Sequence, residues 1–106
     1  MITPTASFKD NLQLLPAVDD IARIYIVDAN GTIIDTIENK SGKQGSLVVY
    51  RYLAETFGVI DAKAAVHGLE VFAEHTADAK NRPGAHPNID RLLEIIEGGE
   101  ALNVQV

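Results

Sequence analysis

No cysteine occurs anywhere in this chain, which excludes disulfides and thiolate metal sites. That composition suits a reducing cytoplasm better than a secreted setting, so a cytoplasmic protein is expected. No apolar run is long enough to span a bilayer. Residues Met1 to Asn11 lack the basic and then apolar succession of a secretory leader, so none is expected. Basic residues are few and scattered, nine Lys and Arg against fifteen Asp and Glu, for a formal charge of −6. Such a field repels phosphate backbones, so no nucleic-acid partner is expected, and no membrane partner either. Internal repeats and low-complexity tracts are also missing.

What remains is a chain of 106 residues, 46% hydrophobic, in the usual range for one globular domain with one core. Residues 1 to 6 read as a loose end. Ser7 followed by Asp10 resembles a capping box, and Phe8, Leu12 and Leu15 recur at helical spacing until Pro16. Two β-rich runs, Ala22 to Asp28 and Thr32 to Ile37, flank Ala29-Asn30-Gly31 and predict a hairpin with a three-residue loop and Gly31 at its left-handed position. That register places Ala22, Ile24, Ile26, Ile34 and Thr36 on one face. Arg23, Tyr25, Val27, Ile33, Asp35 and Ile37 fall on the other.

The polar stretch Glu38 to Gly45 predicts a loop, with Ser46 capping a helix from Leu47 to about Phe57 and Gly58 ending it. Asp61 caps a long helix from Ala62 to about Lys80, stopped by Pro83-Gly84. Ala65, Leu69, Phe72, Thr76 and Ala79 form its inward stripe, and Lys63, His67, Glu70, Glu74 and Asp78 line the opposite side. Gly68 inside it implies either close backbone packing or a break. A last helix from Pro87 or Asn88 to Glu97 stops at Gly98-Gly99, and Leu102 to Val106 alternates like a half-buried strand. The expected fold is therefore α+β, order αββαααβ, a small antiparallel sheet packed against about four helices.

Two regions carry candidate chemistry. In the loop Ser41 to Ser46, glycines free backbone amides and Lys43 adds charge before a helix N-terminus, so Lys43, Gln44 and Ser46 are candidates for holding a phosphate or carboxylate. The spacing is not that of a P-loop, and a plain loop with a serine cap is the ordinary alternative. The second region surrounds the Pro83-Gly84 turn. His75, Asp78 and His86 are candidate ligands for a divalent metal or an acid–base pair, and Arg82, His86 and Asn88 candidates for an anionic ligand. A capping histidine and an edge histidine are the structural alternative. No cofactor is identified beyond that divalent metal, and no catalytic residue can be named.

The helix Leu47 to Phe57 is apolar on nearly every side, with Val48 and Tyr52 outside its main arc. Such a helix is either central to the core or covered by a partner, so Val48 and Tyr52 are candidate interface residues of a homodimer or of a protein partner.

The segments Gly42-Lys-Gln-Gly-Ser-Leu-Val-Val-Tyr50, Ala73-Glu-His-Thr-Ala-Asp-Ala79 and Pro83-Gly-Ala-His-Pro-Asn-Ile-Asp-Arg-Leu92, together with the hairpin, make the chain similar to a small family of bacterial proteins of about this length catalogued as a domain of unknown function. The resemblance implies a bacterial cytoplasmic protein and brings no activity, substrate or catalytic residue with it. From the sequence, then, two functions stand: a dimeric interaction or regulatory module, and a small enzyme or ligand-binding protein using residues 75–91.

Overall fold

Ser7 caps the first helix, α1 (Phe8–Leu12), its hydroxyl accepting from the Asp10 amide as the capping pattern predicts. In the computed structural model, which describes all 106 residues, the hairpin follows as β1 (Arg23–Val27) and β2 (Ile33–Glu38). Asp28 and Thr32 close the three-residue loop, with Gly31 at φ 84°.

The expected facing of β2 does not hold. Val27 pairs with Ile33, yet Ile26 pairs with Asp35, so Ile34 is an extra residue and the strand is bulged there. The bulge turns Ile37 into the core at 3% exposure and leaves Ile33 and Ile34 about half exposed. It also sets Asp35 on the Ile26 side, within reach of Arg91. A third strand, β3 (Asn103–Gln105), pairs antiparallel with β1, giving the sheet order β2-β1-β3.

Helix α2 (Gln44–Phe57) begins earlier than the sequence suggests, because Gly42 at φ 86° turns the chain and the Lys40 carbonyl accepts from the amides of Lys43 and Gln44. Ser46 therefore lies inside the first turn and is not the cap; Lys43 holds that position without a side-chain bond. Gly58 ends the helix at φ 82°, as expected.

The single long helix is two, α3 (Ala62–Phe72) and α4 (Glu74–Asn81). The break falls at Ala73, at φ 53° and ψ −120°, a conformation that costs a non-glycine residue about 1–3 kcal/mol. At Gly68 the helix continues and the packing is close: an added Cβ would lie 2.7 Å from Leu53 Cδ1 and 2.9 Å from Leu92 Cδ1. Glycine there lets α3 seat against both α2 and α5 (Pro87–Ile96).

The result is the expected α+β class: α2 packs on the three-stranded sheet, α3 packs on α2, and α1, α4 and α5 pack on α3. Ile24, Ile26 and Ile37 meet Leu47, Tyr50, Leu53, Val71, Ile89 and Leu92 in one continuous core. No helix is long and apolar enough to cross a membrane. The first residues, expected as a loose end, are tied down. Ile2 N–H donates to the Tyr52 hydroxyl at 3.1 Å, and fully buried Asn11 bonds Thr5 and, at 2.9 Å, the Val71 carbonyl.

Candidate ligand-binding site

The two candidate regions, distant in sequence, form opposite walls of one cleft of about 530 Å³. Ser41, Gly42, Gln44, Gly45 and Ser46 supply one wall, and His75, His86, Pro87, Asn88 and Ile89 the other. Phe8, Leu12 and Phe72 are the apolar part of its lining, with Phe8 and Leu12 lying against Gly45. The volume is in the range of small-molecule sites.

Packing explains the convergence. With α2, α3 and α5 drawn together at Gly68, the first turns of α2 and α5 come to border the same space. Tyr50, fully buried on α2, donates from its hydroxyl to the Asn88 carbonyl at 2.5 Å and fixes the start of α5. Arg91 stacks over the Tyr50 ring, donates to the Tyr50 hydroxyl at 3.2 Å and to Asn88 Oδ1 at 2.8 Å, and pairs with Asp35. Burial pushes the Tyr50 phenol up to about 12, so it remains a neutral donor.

These bonds leave donors facing the cleft. Asn88 Oδ1 is taken by Arg91, so the side chain offers its NH2 group. The amides of Gly45, Ser46 and Asn88, in the first turns of their helices, take no partner within the chain, and all three residues line the cleft. Helix starts carry partial positive charge, so these residues favour an anion.

His86 precedes α5 and turns its Nε2 to Asp78 Oδ2 at 2.6 Å. Asp78 also receives both arms of the Arg82 guanidinium, Nε at 2.9 Å and Nη2 in closer contact. Those hydrogen bonds, Arg82 first and His86 second, hold the Asp78 carboxyl well below the usual range. An ionised carboxylate only accepts, so Nε2 carries a proton in either state of the His86 ring; in the neutral ring Nδ1 keeps its lone pair, and in the protonated ring Nδ1 is a second donor. The His75 ring lies 5.7 Å from that of His86, and edge-on to Phe8 at 5.1 Å. Phe8 in turn stacks on Phe72 at 5.2 Å, and its amide donates to Glu74 at 2.7 Å, which lowers the Glu74 carboxyl.

Of the residues named for an anion, Gln44, Ser46, His86 and Asn88 line the cleft; Lys43 and Arg82 do not, Arg82 being engaged on the far side of Asp78. The metal set His75, Asp78 and His86 does not converge on a point: Asp78 is spent on Arg82 and His86, and no group of acidic or histidine side chains is arranged to chelate a cation. Of the interface pair, Tyr52 is interior, 5% exposed, with His67 Nε2 2.7 Å from its hydroxyl; Val48 is half-buried against the core. The apolar girth of α2 thus reflects a central helix covered by α3 and by the N-terminal segment. His67, expected on a solvated stripe, is 8% exposed.

Sequence reasoning did not find Phe8, Leu12 or Phe72 as cleft walls, nor the Tyr50–Asn88–Arg91–Asp35 network. Helical spacing marks Phe8 as apolar but cannot say that α1 packs beside residue 75.

Fold and cleft together define a small α+β protein with an open pocket bordered by two helix starts and two histidines. The chain belongs to the family described as an uncharacterized protein conserved in bacteria (DUF2322), whose model matches residues 8–106. Comparison with curated proteins and with solved structures finds no match.

Proposed function

We propose that this protein binds a small anionic metabolite that carries an apolar group, with the anion among the donors of Gly45, Ser46, Asn88 and His86 and the apolar part against Phe8 and Phe72. The observation that carries the reading is the meeting of residues 41–46 and 75–89 in one cleft whose lining holds both unpaired donors and aromatic rings, the Phe8 ring lying against Gly45. The absence of cysteine supports a cytoplasmic setting. Calorimetry with phenyl phosphate, benzoate and benzyl alcohol tests it. The two anions bind and the alcohol does not, and His86→Ala weakens the anions roughly tenfold, the loss of the charge-assisted hydrogen bond that Nδ1 of the protonated ring donates. Equal binding of the alcohol, or none by either anion, removes the reading.

A second reading concerns assembly. Ile33 and Ile34, half exposed on the edge strand β2, support a homodimer joined through the hairpin. Sedimentation of the wild type and of Ile34→Lys tests this: the proposal requires a dimer that the lysine disperses.

A further inference from the structure

We infer that His86 is a phosphoryl acceptor, taking the group on Nδ1 within the cleft. The inference rests on the anion-binding reading and goes beyond it, since a binding site needs no nucleophile. Three features of His86 are those of a nucleophilic imidazole. Its Nε2 is committed to Asp78 at 2.6 Å, which fixes the tautomer of the neutral ring and leaves that ring's Nδ1 with a free lone pair. Nδ1 has no hydrogen-bond partner within the chain, and the side chain keeps 26% of its surface exposed beside a cleft wide enough for a phosphorylated donor. The Asp78 carboxylate, itself clamped by Arg82, stands where positive charge develops once Nδ1 is substituted. His67 has neither the carboxylate partner nor the exposure, being buried with Nε2 against a hydroxyl. His75 has open nitrogens and no carboxylate to orient it.

The donor class is a compound with a phosphorus–nitrogen bond, whose transfer potential matches that of a phosphohistidine product. With phosphoramidate the Nδ1 lone pair attacks phosphorus and the P–Nδ1 bond forms. The bond to the already protonated donor nitrogen breaks, and ammonia departs with that electron pair. The imidazole retains its Nε2 proton, and its new positive charge is held by Asp78. The donors for the phosphoryl oxygens are the unpaired amides of Gly45, Ser46 and Asn88, which line the same cleft as His86.

The test uses the full chain, phosphoramidate as donor and inorganic phosphate as binding probe. Intact mass, with peptide mapping in alkali, is expected to show a single acid-labile phosphoryl group on His86, formed at least roughly tenfold faster than on His75 or His67. Asp78→Asn slows it by about tenfold, while nitrogen NMR of the wild-type ring reports the Nε2–H tautomer that Asp78 imposes. Labelling of the three histidines at similar rates overturns the inference, as does an unchanged rate in Asp78→Asn. Inorganic phosphate separates the two levels. If it shifts the amides of Gly45, Ser46 and Asn88 while His86 stays unlabelled, the acceptor role falls and anion binding stands. If it shifts nothing and nothing is labelled, both fall.

Discussion

His67 and His86 each make one short hydrogen bond through Nε2, and the partner separates their chemistry. His67 meets the Tyr52 hydroxyl, 2.7 Å away and almost closed to solvent. The Tyr52 oxygen accepts the Ile2 amide, and its proton has no other partner in the chain, which favours donation to His67 Nε2. Burial then depresses the imidazole below its ordinary value, so it stays neutral and serves to hold the N-terminal segment on α2 and α3. His86 meets an ionised carboxylate at a cleft edge, so the same nitrogen donates and the other is left open. A phenol partner makes a structural histidine; a carboxylate partner beside open space makes a reactive one.

The largest expected effect on stability comes from the buried pair. Tyr52→Phe strands both the Ile2 amide and His67 Nε2, which costs about 1–3 kcal/mol in urea denaturation and leaves anion affinity unchanged. If anion affinity fell in step with stability, the two histidines would not be separable. His86→Ala is the reciprocal case: it shifts Tm by only about 2–4 °C, since the contact with Asp78 is solvent-screened, while weakening anion binding roughly tenfold and removing phosphoryl uptake. Next comes Ala73→Gly, which relieves the φ 53° strain between α3 and α4 and raises stability by about 1 kcal/mol. It sharpens the comparison because His75, two residues on, must keep its place beside His86.

The smallest effect is one of pH. With its folded pKa depressed below 6.5, His67 takes up a proton in the unfolded chain first. Stability is therefore level above about 6.5 and declines as pH falls through that value towards the folded one. His67→Gln abolishes this slope. Glu74 and Asp78, also lowered by folding, lose their contributions only as pH falls through their ordinary carboxylate values of 4.5 and 3.8, below the pH at which the His67 slope begins. A slope that survives in His67→Gln would assign it to another group.

Features set by neighbours in sequence were legible before the structure. The Ser7 cap, the loop ended by Gly31 and the stop at Gly58 need only local rules. The bulge at Ile34 was not, because it is decided by contacts at a distance: Ile37 entering the core and Asp35 meeting Arg91 on α5. Nor was the break at Ala73, where a good helix former adopts a turn conformation that packing imposes. His67 was misplaced for a similar reason, since a helical wheel assigns a side but not the segment that covers it. His75, His86, Asn88, Gln44 and Ser46 were visible as two separate candidate groups. Their union in one cleft depends on Gly68 admitting two leucines, which residue types alone do not reveal.

The most direct test of the central claim is histidine-observed NMR during titration with phenyl phosphate. The account predicts saturable shifts of His75 and His86, together with the amides of Gly45, Ser46 and Asn88, while His67 stays still. Shifts of His67 equal to those of His86, or a titration in which no histidine moves, would contradict it.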